Sequence, residues 1–123
     1  MRNIIIAIII GFFLASCGEQ AVDNPPPESF ELSQNFPNPF TDTTVIDYGV
    51  PNFSSQSGPR VRVAIYDRFN ELVELLVEKN NHSAGKFRIN WRPFNKNPSG
   101  LYYIELQVGN SEETFKRIAA IKK

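Results

Sequence analysis

Arg60-Val61-Arg62-Val63-Ala64-Ile65-Tyr66-Asp67 sets Val61, Val63 and Ile65 on one side of an extended chain and Arg60, Arg62 and Tyr66 on the other. Successive side chains of a strand point to opposite faces, so this alternation describes a strand with one buried and one solvated face. Downstream, Asp67-Arg68-Phe69-Asn70 reads as a hairpin turn. It leads into residues 71–79 (ELVELLVEK), whose apolar positions fit a strand or two turns of helix. A lone two-turn helix is marginal in water, so a strand is expected.

Residues 85–91 alternate Phe87, Ile89 and Trp91 against Lys86, Arg88 and Asn90, and residues 101–108 place Tyr102, Ile104, Leu106 and Val108 on one face. Gly109-Asn110-Ser111 turns the chain into a last strand over 112–121. Upstream, residues 43–50 set Ile46, Tyr48 and Val50 against Val45, Asp47 and Gly49, and a first strand is expected over 30–34. Seven strands with no crossover helix between them imply antiparallel pairing. The expected fold class is all-β, a two-sheet sandwich, with a closed barrel as the alternative.

The N-terminal part is of another kind. Met1-Arg2-Asn3 precedes an apolar run of eleven residues, 4–14 (IIIAIIIGFFL). A bilayer core needs roughly 20 apolar residues, so the run reads as the central region of an export signal. Residues 18–29 (GEQAVDNPPPES) hold three consecutive prolines and little that can be buried, so 17–29 is expected to be a disordered tether and 30–123 the folded domain.

Composition narrows the function. The 13 Lys+Arg balance the 13 Asp+Glu, so the long-range field that draws proteins to nucleic acid is missing. One Cys excludes an internal disulfide, and one His excludes a His-rich metal site. No nucleophile elbow, phosphate loop or HExxH motif is present, so neither an enzyme nor a cofactor is expected. His82, in the polar turn Asn80-Asn81-His82-Ser83, is read as a solvated loop residue. Asp42, Asp47, Asp67 and Asn38 lie near turns but lack calcium-loop spacing.

Two resemblances add to this. Leu14-Ala15-Ser16-Cys17 resembles the lipobox of bacterial lipoproteins, which implies a lipoprotein signal peptide over 1–16, cleavage before Cys17 and lipidation of Cys17. Several acyl chains on one residue give stable anchoring to a membrane. The second covers residues 30–123. The segment 30–40 (FELSQNFPNPF), Thr43-Thr44-Val45-Ile46, Val63-Ala64-Ile65-Tyr66-Asp67, residues 85–91 (GKFRINW), Ser99-Gly100-Leu101-Tyr102-Tyr103 and Lys116-Arg117-Ile118 resemble the type A C-terminal sorting domain of the type IX secretion system. The Ig-like module of flagellar hook-capping proteins is similar. The resemblance implies a seven-stranded antiparallel Ig-like β-sandwich, typical of Bacteroidota, that directs passage across the outer membrane. Asn70 stands where the family favours Gly, and Arg92-Pro93 where it favours a Gly-containing turn.

With twelve residues between Cys17 and Phe30, the sorting-type domain is expected to be the whole mature protein. The resemblance implies an outer-membrane lipoprotein of the cell envelope, partnered by type IX secretion machinery or other envelope proteins. Gly100, Tyr102, Lys116, Arg117, Lys122 and Lys123 are the candidate sorting or docking residues, in the last strands. The alternative is a surface module that binds a glycan or protein, with the outward Tyr66 and Tyr103 as its ligand-facing candidates.

Overall fold

The computed structural model describes residues 20–22, 25–52, 58–94, 96–109 and 114–123. Cys17 and the signal segment 1–16 lie outside the described residues. Among the described residues eight strands are found: β1 (Gln20–Val22), β2 (Glu31–Leu32), β3 (Thr44–Val50), β4 (Val61–Asp67), β5 (Leu72–Lys79), β6 (Gly85–Trp91), β7 (Gly100–Val108) and β8 (Thr114–Lys122). They form two four-stranded sheets, β1-β6-β3-β2 and β5-β4-β7-β8, with every neighbouring pair antiparallel. The arrangement is a sandwich.

The count corrects the expectation of seven strands. The additional one, β1, lies within 17–29, where composition argues for disorder. Gln20, Ala21 and Val22 pair with Arg88, Phe87 and Lys86. β6 is paired with β3 on its other side, and these three residues satisfy backbone groups that would otherwise be left on its open edge. The ambiguous segment 71–79 supplies β5, which pairs with β4 through two register shifts.

The core sits between the sheets where the alternation places it. Val61, Val63 and Ile65 are fully buried, as are Ile46, Val50, Ile104 and Leu106. Each such side chain contributes about 1.5–3 kcal/mol on leaving water. Trp91 anchors one end, 5.5 Å from Phe40 and edge-on to Tyr102 at 5.6 Å, with its Nε1 donating to Glu74 Oε1 at 3.1 Å.

At the other end of the core His82 overturns its sequence reading. It is 1% exposed, its Nε2 lies 2.8 Å from Tyr48 Oη, its Nδ1 lies 2.8 Å from the Ser83 carbonyl, and it packs edge-on to Phe87. The turn stays exposed at Asn80, Asn81 and Ser83 and sends only the His82 ring inward, where hydrogen bonds on both ring nitrogens offset its burial. Asn70 holds the β4–β5 turn at φ 66°, where Asn is the best substitute for Gly. Asp67 Oδ1 accepts there from the Phe69 and Glu71 amides.

One loop belongs to both sheets. Phe36 and Val45 exchange backbone hydrogen bonds of 3.0 and 2.8 Å, which fixes the start of the loop to β3. Buried Asn35 donates to Thr44 Oγ1 at 2.9 Å, and that hydroxyl donates to the Pro37 carbonyl. Four residues beyond Phe36 the chain forms a parallel bridge from Phe40 to Lys122 of β8. Two prolines in between prevent a continuous ladder, so the loop crosses from one sheet edge to the other.

Candidate docking edge

β8 pairs with β7 in unbroken register from Gly100↔Lys122 to Val108↔Thr114 and is the edge of its sheet. Along an edge strand alternate residues aim their backbone groups away from the sheet. Here the odd-numbered residues do so, since Ile121 both donates to Asn38 Oδ1 at 2.8 Å and accepts from Phe40 N at 2.9 Å. Lys123 N donates to the Phe40 carbonyl at 2.8 Å. The Ala119 carbonyl accepts from Gln34 Nε2 at 2.8 Å and from Asn38 Nδ2 at 3.3 Å.

The C-terminal half of the edge is thus stitched to the 34–40 loop. The other half is open: the Ala119 N–H and the outward N–H and C=O of Arg117 and Phe115 have no partner among the described residues. Gln34 and Asn38 carry much of this stitching. Sequence periodicity has no signal for them, because both lie where the alternation stops.

The six candidate docking residues divide. Arg117 is held internally: its Nε donates to Glu105 Oε2 at 2.8 Å, its Nη2 to Asn70 Oδ1 at 2.6 Å, and its Cζ lies 4.7 Å from the Tyr103 ring and 5.6 Å from the Tyr66 ring. Glu105 is 7% exposed and pairs with Arg117, which keeps about a third of its side chain exposed at the surface. The guanidinium latches the β4–β5 turn to β8. Tyr66 and Tyr103 are half-buried, with the Arg117 guanidinium over both rings.

Tyr102 is 3% exposed, in the core, and donates to the Pro98 carbonyl at 2.5 Å, so it is corrected from a docking residue to a packing residue. Burial, reinforced by Asp67, raises its pKa. Gly100 opens β7 at φ 138°, a backbone conformation that side chains rarely adopt. Lys116, Lys122 and Lys123 make no ion pair among the described residues and give the strand its free positive charge. Of the oxygens considered for calcium, Asp47 pairs with Arg88 and Asn38 binds β8, so they do not converge.

The fold is a two-sheet β-sandwich whose last strand is an edge, stitched to the 34–40 loop along its C-terminal half. The family comparison gives this sandwich its family. The model of the family described as the secretion system C-terminal sorting domain matches residues 34–122, and the chain belongs to this family. This is the sorting domain of the type IX secretion system. No curated protein and no solved structure matches the chain.

Proposed function

We propose that this chain is a non-enzymatic, lipid-anchored outer-membrane protein whose sandwich docks on the type IX secretion machinery by adding a receptor strand to the open half of β8. The observation that carries the reading is the division of that edge: paired to the 34–40 loop from Ala119 O onward, and without a partner among the described residues at the outward Phe115 and Arg117 backbone groups and the Ala119 N–H. A partner strand gains affinity from such backbone groups, while Lys116, Lys122 and Lys123 speed encounter and set register. Cys17, acylated within the lipobox, tethers the domain to the membrane in this reading.

Ala119→Pro tests it. The Ala119 N–H faces away from β7, so proline removes a docking donor without breaking a ladder bond, as edge strands allow. In a host with a working type IX system, surface-exposed protein is expected to fall about tenfold, the effect of losing roughly 1.4 kcal/mol of recognition, with the melting temperature within a few degrees of the parent. Lys122→Ala with Lys123→Ala should give a smaller drop of the same sign, since exposed charges contribute little to folding. Ala119→Pro reaching the surface as well as the parent would overturn strand addition.

A further inference from the structure

One end of the sandwich gathers exposed apolar side chains. Trp91 closes β6 there and packs on Tyr102, whose ladder partners are Asp67 and Ala120, so the β4–β5 turn, the loop after Trp91 and the end of β8 lie together. Phe69 in the turn is 71% exposed and Phe94 in the loop is 59% exposed. The two segments meet at one cleft, walled by Arg68 and Phe69 on one side and Asn97 and Pro98 on the other, and Asn97 N donates to the Phe94 carbonyl at 2.9 Å. Leu72 beside the turn and Ile121 near the end of β8 are exposed as well. Among the described residues the opposite end, at 58–60, 80–84 and 109, exposes no large apolar side chain.

Cations surround these rings. Arg68, Arg92 and Lys96 are exposed and make no ion pair among the described residues. With Lys122 and Lys123 they outnumber Asp42, Asp67 and Glu71, the acids of the loops at this end, and Asp67 Oδ1 is occupied by the Phe69 and Glu71 amides. The Arg68 guanidinium lies 4.9 Å from the Phe69 ring centre. Apolar rings interspersed with cations suit the boundary of a bilayer, where the ring enters the acyl region and the cation stays with anionic headgroups.

The position of β1 favours a bilayer over a soluble partner. Gln20 pairs with Arg88 and Val22 with Lys86, so the Gln20 end of β1 is the one nearer Trp91. Cys17 is three residues from Gln20, at most about 11 Å of chain. A lipid on Cys17 therefore holds the bilayer within reach of this end. We infer that the sandwich stands on the membrane by this end, with Phe69 and Phe94 inserted at the headgroup boundary. The inference rests on the lipid anchor of the proposed function. β8 runs from Thr114 at the far end to Lys122 at this one, so its open half projects away from the bilayer, where a receptor strand can reach it.

The test uses the full chain, purified with its anchor and placed in bilayers of phosphatidylethanolamine and phosphatidylglycerol. Cys17 is the one cysteine of the sequence and acylation blocks its sulfur, so Phe69→Cys, Phe94→Cys and, at the opposite end, Asn80→Cys each offer a single thiol to a nitroxide label. All three sites are exposed, so the substitutions leave the core intact. Relaxation of the nitroxide by oxygen, which concentrates in the bilayer, should exceed that by a water-soluble nickel complex at 69 and 94, with the order reversed at 80. Nickel exceeding oxygen at 69 or 94, or the same order at all three sites, with the parent chain unlabelled, would overturn the inference and leave the anchor standing. Label taken up by Cys17 of the parent would refute the anchor, and this inference with it.

Discussion

Removing residues 118–123 is expected to unfold the sandwich, not merely to blunt its edge. The deletion takes fully buried Ala120 and the core-packed Ile118, and strips β7 of its partner from Gly100 to Ile104. It also takes both backbone bonds of Phe40 and the Ala119 and Ile121 groups that hold Gln34 and Asn38, so the loop joining the two sheets loses its hold on the second. At a net ~1 kcal/mol for each hydrogen bond, with the apolar losses added, the total is at least ~5 kcal/mol. That approaches the whole stability of a small domain, which is roughly 5–15 kcal/mol. Ile121 itself adds little, being 45% exposed on the outer face. Urea unfolding read by circular dichroism checks this: the truncated chain should show no cooperative transition, and a transition near that of the parent would refute the stitching role. Truncation therefore cannot separate recognition from folding, whereas Ala119→Pro is chosen to do so.

His82→Ala is expected to cost about 3 kcal/mol, the largest effect of any single polar side chain considered. It opens a cavity beside Phe87 and Tyr48 and removes the hydrogen bonds to Tyr48 Oη and the Ser83 carbonyl. The His82 backbone N–H, which donates to the Pro59 carbonyl at 2.8 Å, is left in place, so the loss measured belongs to the ring. A midpoint unchanged in urea would show that the imidazole is dispensable to the core.

The contrast between His82 and Val61, Val63 and Ile65 shows what was legible. Alternation survives any arrangement of the sheets, because it is a property of the strand alone, and it located β3, β4, β6 and β7 with most of the core, while turn signals and segment length supplied β2, β5 and β8. His82 was illegible because its turn is polar and its burial depends on Tyr48 and Phe87 reaching it from other strands. β1 was illegible for the same reason: Gln20-Ala21-Val22 carries no pattern and is a strand because β6 has an open edge. Of the candidate site, β8 and its lysines were visible as a basic terminal strand. The division of its edge was not, since it rests on Gln34 and Asn38, some 80 residues away in the chain. Arg117 was read as a docking residue from its place in the basic terminal segment, and its contacts with Tyr103, Tyr66 and Glu105 come from other strands that the segment does not show.

The central claim is that this sandwich is read by the type IX system. The most direct measurement is the susceptibility of the full chain to protease added to intact cells, in a host with that system working and in the same host with it inactivated. The account predicts degradation where the system works and protection where it does not, with equal amounts of protein made in both. Equal degradation in the two hosts, or protection in both, would contradict it.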